Sequence, residues 1–214
     1  MAHARLSVAA YRIAVAALTA VALGFTAYRS SLSGGLGNFF SFFTILSNIL
    51  GTLVFFAAAG AALATQGKAV PDLLRGAAAL YLVITGIVYG IALAHYDTPE
   101  VIPWVNMVVH RLTPAVFAAD WLIDPPRRAP RFPRALAWLV FPLLYLLYTL
   151  VRGAVVDWYP YPFLDPRVNG NAAVAVGCVL VAAAFLAVAW LLCWTAGRRI
   201  RATTAAVKPA HSQH

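Results

Sequence analysis

The stretch Asn106-Met-Val-Val-His-Arg-Leu-Thr-Pro114 lies inside an apolar run from Trp104 to Ile123. That run is long enough to cross a bilayer as a helix, and its Asn, His, Arg and Thr side chains are costly to bury in hydrocarbon. Ionisable residues in such segments generally face the protein interior and mark a pathway or a site. Asn106 and His110 are four positions apart and share one helix face. We therefore expect a helical membrane protein in which His110 takes part in the chemistry.

The composition of the whole chain also favours a membrane protein. Of its 214 residues, 62% are hydrophobic and 11% are charged, and the mean hydropathy is +0.79. These values predict an all-α polytopic membrane protein. In a soluble protein the net charge of +9 would favour nucleic acid as a partner. Here the basic residues cluster between apolar runs, which is typical of cytoplasmic loops that face anionic lipid. We expect membrane lipids as partners, and no nucleic acid.

Six apolar runs predict a bundle of six transmembrane helices, because each is near the roughly 20 residues that a helix needs to cross a bilayer. They cover about residues 6–28, 40–63, 73–95, 103–123, 134–152 and 172–196. Together they form one domain, residues 1–201, followed by a tail at 202–214 that we expect to be disordered and cytoplasmic. The first run is too long for a cleaved signal peptide, so we expect a retained signal anchor. Pro142 in the fifth run frees a backbone carbonyl, which the bundle is expected to satisfy.

The distribution of Lys and Arg predicts how the chain is oriented in the cell membrane. One set of ends carries most of these residues, namely Arg5, Lys68, Arg75, Arg127, Arg128, Arg131, Arg134, Arg198, Arg199, Arg201 and Lys208. The other set carries Arg29, Arg152 and Arg167. Both termini and the loops after the second and fourth runs are therefore predicted to be cytoplasmic. Tryptophans near both boundaries agree with interfacial belts.

The predicted outer loop after the fifth run contains Asp157-Trp-Tyr-Pro-Tyr-Pro-Phe-Leu-Asp165, which we call the aromatic loop. Its prolines stiffen the backbone, and its aromatic side chains make it amphipathic. An interfacial belt segment is the simpler interpretation. The alternative is a lid over an outward-facing pocket.

Polar side chains recur early in the second run, Asn38-Phe-Phe-Ser-Phe-Phe-Thr-Ile-Leu-Ser-Asn48. The i, i+3, i+7 spacing of Ser41, Thr44 and Asn48 predicts that they share a helix face. Ser41, Ser47 and Thr52 are expected to form hydrogen bonds between helices.

Thr44 and His110 are predicted to lie at similar depth. At the usual helical rise, Thr44 is about 6 Å and His110 about 10 Å below the outer surface. A hydroxyl beside an imidazole is the minimum for nucleophilic catalysis, because a base must take the hydroxyl proton. Asn106 or Asn48 is expected to orient the histidine or to donate to an oxyanion.

The second and fourth runs carry a family resemblance. Phe-Phe-Thr44-Ile-Leu-Ser-Asn48, and Asn106-Met-Val-Val-His110 followed by Pro114, resemble the androgen-induced and androgen-dependent (ADTRP-like) membrane protein family. They are more similar still to actinobacterial membrane proteins distantly related to that family. The family comprises six-span hydrolases with a threonine nucleophile, which cleave fatty acid esters of hydroxy fatty acids. The resemblance implies a lipid ester hydrolase with Thr44 as nucleophile and His110 as base.

Two other functions stay open at this stage. A non-catalytic lipid or small-molecule binding or transport protein would use the same polar cavity. However, paired Gly/Pro helix breaks in two halves, typical of transporters, are not evident. A haem carrier would use His95 and His110. A single histidine pair without a carboxylate cluster is weak support for haem or zinc, so we expect no cofactor and no metal.

Two arginines are candidates for substrate binding. Arg111 points about 100° around the helix from His110. It is expected either to bind a substrate carboxylate or to pair with Asp97 or Asp157. Arg152 lies at the end of the fifth run, on the predicted outer side. We expect it at the outer opening of the same pocket, where two arginines would suit the headgroup of a fatty acid.

The remaining polar and small residues predict packing. Asp120 is expected to form an interfacial ion pair with the nearby Arg127, Arg128 or Arg134. Gly86 and Gly90 predict a close helix approach. Cys178 and Cys193 lie on one predicted helix about 22 Å apart, too far for a disulfide, and are expected to pack as small apolar residues.

Overall fold

The computed structural model describes residues 2–64, 70–96 and 101–207, and the regular secondary structure in these ranges is helical throughout. The long helices are α1 Ala2–Leu32, α2 Phe43–Leu63, α3 Asp72–Leu93, α4 residues 103–123, α5 Phe132–Val156 and α6 Pro166–Val207. Within the described residues, each of them except α4 is long and apolar enough to cross a membrane. The chain is therefore an all-α polytopic membrane bundle, as its composition predicts.

α4 is less apolar because it carries the polar stretch, and it differs from the others in geometry too. It runs as Pro103–Met107, a π-helical turn at Val108–Leu112, and Thr113–Ile123. It packs against α1, α3 and α6. One polar contact within this packing joins the buried hydroxyls of Thr19 and Thr113, whose oxygens are 2.9 Å apart.

Several helix boundaries differ from the predicted ones. A separate short helix, Leu36–Phe39, precedes α2, so Ser41 lies in the turn before α2 and not on its face. α6 begins earlier than expected and is broken at Gly170, where φ is 77° and glycine avoids the Cβ penalty. It also continues to Val207, so residues 202–207 are helical where a disordered tail was predicted. Residues 208–214, including Lys208, and Lys68 and Asp97 lie outside the described ranges.

Pro142 has the consequence expected from the sequence. It lacks an N–H for the carbonyl four residues earlier, which belongs to Trp138. The Tyr81 hydroxyl on α3 donates to that carbonyl at 2.7 Å. The Trp138 indole N–H in turn donates to the Leu73 carbonyl at 2.8 Å. α5 is thereby joined to α3 at the point where its own hydrogen-bond ladder is interrupted.

α3 is the most buried helix of the bundle, with consecutive buried residues from Gly76 to Leu82. A Cβ added at Gly76 would lie 2.2 Å from the Trp138 ring, and one at Gly86 would lie 2.9 Å from Pro114. Gly90 has open space around it. The predicted close approach therefore occurs at Gly86, against α4, and not at Gly90.

Buried charges join α1, α3 and α4. The Arg12 Nε donates to the Asp120 carboxylate at 2.7 Å, and Arg75 reaches the same carboxylate at 3.1 Å. Both Arg12 and Asp120 are buried, and the Tyr11 hydroxyl also donates to Asp120. The partners predicted for Asp120 were therefore wrong. Arg12 and Arg75 come from helices far away in sequence, so spacing along the chain does not reveal them.

Candidate active site

Thr44 and His110 are in contact. The Thr44 Oγ1 lies 3.3 Å from the His110 Nε2. Thr44 is buried in the first turn of α2, and His110 is partly buried in the π-helical turn of α4. The side chains that the sequence placed at similar depth therefore form a hydroxyl–imidazole pair.

Asn106 forms a hydrogen bond with the ring nitrogen of His110 that does not face Thr44. Its Oδ1 lies 2.6 Å from the His110 Nδ1, and its Nδ2 donates to the Tyr89 hydroxyl at 2.6 Å. Because the amide nitrogen is directed to Tyr89, the amide oxygen accepts the proton on Nδ1. The lone pair of Nε2 is then directed at Thr44, which is the tautomer that a general base requires.

Tyr89 also fixes the plane of the imidazole. Its ring stacks on His110 with centroids 4.2 Å apart and an interplanar angle of 17°. Sequence reasoning did not identify Tyr89 as part of the site. The available indication was its position between Gly86 and Gly90, where α3 was predicted to approach another helix.

Asn48 ties the two backbones of the site together. Its Nδ2 donates to the Thr44 carbonyl at 2.8 Å and to the Val109 carbonyl at 3.1 Å. Val109 lies in the π-helical turn, where the i to i−4 ladder is interrupted and a carbonyl can accept from elsewhere. Asn48 thus positions α2 against α4, and it is Asn106 that contacts the histidine.

Two tyrosine hydroxyls cap the start of α2. The backbone N–H groups of Phe43 and Thr44 donate to Tyr145 at 3.1 Å and to Tyr161 at 3.3 Å. The first N–H groups of a helix have no partner within the helix, and no side chain of the local sequence caps this one. Tyr161 was missed by sequence reasoning, although its position between two prolines distinguishes it from the other aromatic residues of its loop.

The aromatic loop covers the site from one side. Tyr161 is buried, and burial raises the pKa of its phenol while hydrogen bonds from Thr44 oppose that rise. The base of the loop is closed by Arg167, which contacts Asp165 at 2.7 Å and Asp157 at 3.2 Å. These hydrogen bonds from Arg167 lower the pKa of the Asp165 carboxyl. The loop therefore has the position of a lid over the site. A lid was the alternative to an interfacial belt segment in the sequence analysis.

Two cavities meet at Thr44. The first, about 440 Å³, has a mostly apolar lining, and we call it the polar cavity because it contains the polar groups His110, Asn106 and Asn38. The apolar cavity, about 160 Å³, lies among α3, α5 and α6 and is lined by residues such as Leu143, Cys178 and Phe185. Thr44, Leu93 and Tyr161 line both. The nucleophile candidate therefore lies at the junction of two differently lined spaces.

The two arginine candidates lie around the polar cavity without lining it. Arg111 is exposed, with its guanidinium carbon 5.8 Å from the centre of the Tyr89 ring. Its predicted partner Asp157 contacts Arg167 instead. Arg152 donates to Asn38 at 2.8 Å, and its Nη1 is buried without a hydrogen-bond partner among the described residues. Arg152 therefore reaches the cavity lining through Asn38.

The surroundings of His110 add no support for a haem or zinc site. Both of its ring nitrogens have hydrogen-bond partners, Thr44 and Asn106. Within the described residues, no group of three or more His, Cys, Asp or Glu side chains is arranged to hold a metal ion.

The fold and the Thr–His–Asn arrangement define the class as an all-α membrane bundle with a partly buried hydroxyl–imidazole pair. Compared with known proteins, the chain matches no family model, no curated protein and no solved structure. The argument for function therefore rests on the site itself.

Proposed function

We propose that this chain is an intramembrane lipid ester hydrolase of the androgen-induced and androgen-dependent type, with Thr44 as nucleophile and His110 as general base. The observation that supports this most directly is the contact between Thr44 Oγ1 and His110 Nε2, 3.3 Å long, with the imidazole oriented by Asn106. The substrates proposed are fatty acid esters of hydroxy fatty acids or similar lipid esters.

The first half of the reaction forms an acyl-threonine. His110 Nε2 takes the proton of the Thr44 hydroxyl as its oxygen attacks the ester carbonyl carbon. The carbonyl π electrons move onto the oxygen and form a tetrahedral oxyanion. When the oxyanion collapses, the bond to the alcohol oxygen breaks, and the imidazolium gives its proton to that oxygen.

The second half returns the enzyme to its starting state. Water replaces the released alcohol and gives a proton to His110 as its oxygen attacks the acyl carbon. The bond to the Thr44 oxygen then breaks, and the imidazolium protonates that oxygen. A fatty acid is released, and no further reactant is needed.

The start of α2 and Tyr161 are positioned to stabilise the oxyanion. Thr44 lies in the first turn of a helix of 21 residues, where the helix dipole favours negative charge. Its N–H polarises the Tyr161 hydroxyl by donating to it. A tyrosine hydroxyl is protonated at neutral pH and can therefore donate, and burial raises the pKa of Tyr161 further above that range. These groups supply the preorganised donor that acyl transfer requires.

A neutral Asn106 suits this environment better than an acid. A buried carboxylate carries a large desolvation penalty within a membrane-spanning bundle. An amide oxygen fixes the tautomer without that penalty, as the asparagine of Cys–His–Asn proteases does. An acidic residue in contact with His110 is therefore not required for this chemistry.

We propose a topology of six spans with α4 as the fourth, both termini cytoplasmic, in the cell membrane. The basic residues of the chain support this orientation. The polar cavity, lined also by Ser30 near the end of α1 and by Pro160 of the aromatic loop, both on the predicted outer side, would then admit water from the outer face.

Labelling by a fluorophosphonate probe, followed by peptide mass measurement, tests the assignment. The detergent-purified protein is expected to be labelled on Thr44, and the label is expected to vanish in Thr44→Ala and His110→Ala. Thr44→Ser should still be labelled, since it keeps a hydroxyl.

Thr52→Ala is the matched control. Thr52 is a buried threonine on the same helix, and its hydroxyl has no hydrogen-bond partner among the described residues. That variant should be labelled and should hydrolyse ester like the parent. If folded protein is not labelled and hydrolyses no lipid ester, the proposal fails, and a lipid-binding or transport protein becomes the better interpretation.

A further inference from the structure

The two cavities differ in which partner of Thr44 they contain. His110 and Asn106 line the polar cavity and are not among the residues of the apolar cavity, whereas Thr44 lines both. Any molecule bound across the junction therefore has one end beside the imidazole and the other end away from it.

The proton transfers of the proposed reaction determine which part of the ester lies in each cavity. The leaving alcohol oxygen must receive its proton from His110, so it must lie on the imidazole side of the scissile bond. The acyl carbon is bonded to the Thr44 oxygen, and its chain extends away from the leaving oxygen. Given the proposed hydrolase function, on which this step rests, we propose that the acyl chain occupies the apolar cavity and the alcohol portion occupies the polar cavity.

The lining of the apolar cavity agrees with a hydrocarbon chain. Leu143, Phe185 and Leu186 contribute apolar surface. Leu143 is 60% exposed and Leu186 is 41% exposed, so the cavity reaches the lateral surface of the bundle beside α5 and α6. In a membrane that surface faces lipid, which gives an acyl chain a direct lateral route into the cavity.

The polar cavity agrees with the alcohol portion and with water. It contains the groups that handle protons, and its lining includes Ser30 and Asn38. Arg152 donates to Asn38, and its Nη1, which has no hydrogen-bond partner in the described part of the chain, adds positive charge behind that wall. An alcohol portion with a carboxylate at its far end would be favoured here. Once the alcohol leaves, the same space admits the deacylating water next to His110.

Cys178 and Cys193 provide a matched pair of positions on α6. Both thiols are partly buried and pack against the same core, but only Cys178 lines the apolar cavity. Replacing Cys178 by Trp places a large ring where the acyl chain is proposed to lie. The same replacement at Cys193 changes the helix by the same amount outside the cavity.

The experiment compares two ester series with these variants. One series varies the acyl chain from acetyl to hexadecanoyl on a constant alcohol, and the other varies the alcohol on a constant short acyl group. In Cys178→Trp, the kcat/KM ratio of hexadecanoyl to acetyl ester should fall about tenfold or more, because pocket fit discriminates chains by at least that factor. The alcohol series should keep its parent profile, and Cys193→Trp should keep both.

A second variant and a second measurement guard against misfolding. Ala182 lines the same cavity at an exposed position, so Ala182→Trp blocks it with less risk to the core. In the parent protein, hexadecanoic acid should slow maleimide labelling of Cys178 and leave that of Cys193 unchanged. Both results support the same location for the acyl chain.

The outcomes separate the two proposals. If the parent hydrolyses esters and is labelled at Thr44, but Cys178→Trp and Ala182→Trp alter the alcohol series and leave the acyl series unchanged, the cavity assignment is overturned and the hydrolase stands. An unchanged acyl profile in both variants overturns the assignment as well. If no ester is hydrolysed and Thr44 is not labelled, the hydrolase proposal itself fails.

Discussion

Replacing Asn106 by leucine tests the orientation of the base most directly. Among the described residues, the amide makes two hydrogen bonds of 2.6 Å, one with His110 and one to Tyr89. Leucine has similar bulk and no polar atoms, so the change removes both bonds without removing the packing volume. The imidazole then loses the acceptor that keeps its proton on Nδ1, and the other tautomer presents an N–H to Thr44 instead of a lone pair.

The size of the effect follows from the energy of the lost bond. Leaving a buried donor unsatisfied costs about 1–3 kcal/mol. If that energy sets the population of the productive tautomer, the population falls roughly 5- to 150-fold, because each 1.36 kcal/mol is a factor of ten. The rate of fluorophosphonate labelling at Thr44 and the kcat for ester should fall by the same factor.

The measurement is the pseudo-first-order labelling rate at Thr44, with circular dichroism and a thermal melt to show that the variant is folded. Asn106→Asp keeps an acceptor at the same position and should be labelled faster than Asn106→Leu. A folded Asn106→Leu that reacts at the parent rate would refute the idea that Asn106 sets the tautomer.

Three further predictions concern the oxyanion donor, the core and the buried charges. Tyr161→Phe should lower kcat roughly 100-fold by removing an oxyanion donor, and an unchanged kcat in folded protein would exclude that role. Gly76→Ala should lower the free energy of unfolding by about 1–3 kcal/mol, because the added Cβ would lie 2.2 Å from the indole ring of Trp138. Gly24→Ala is the control: a Cβ there has nothing within 4 Å, so the change should be neutral or stabilising. Asp120→Leu should destabilise by roughly 3 kcal/mol, the low end of the range for a broken buried pair, because the buried Arg12 loses one carboxylate and keeps its contact with Asp124 at 2.6 Å. Adding Arg12→Met should recover much of the loss; equal stability of single and double variants in a detergent melt would contradict the pairing.

The similar depth of Thr44 and His110 could be anticipated because membrane helices have a fixed rise and a shared boundary, whereas the pairing of the two residues was implied by the family resemblance. Counting residues from that boundary gives depth directly. The i, i+4 spacing placed Asn106 on the same helix face as His110, and the structure selects it over Asn48, the other candidate for orienting the imidazole. Both inferences use either the geometry of a single helix or the depth in the membrane, which is measured in the same way for every helix.

The contacts that were missed depend on how helices rotate and pack against each other. Asn48 shares a face with Thr44, but its amide bonds to Val109 only because α4 forms a π-helical turn there. Arg12 and Tyr161 reach their partners from 108 and 117 residues away in sequence. No periodicity along one helix contains that information, since it fixes neither the neighbours of a helix nor the path of a loop.

The pair formed by Arg12 and Asp120 constrains how the chain is built. Arg12 lies in α1, and its carboxylate partner Asp120 follows 108 residues later in the chain. A lone arginine is costly in hydrocarbon, so the segment around it stays near water or the translocation machinery until α4 arrives. Arg75 on α3 can reach the same carboxylate only at that moment as well. We therefore expect α1, α3 and α4 to become stable in the membrane together, and a chain truncated before Asp120 to be less stable there than the full chain.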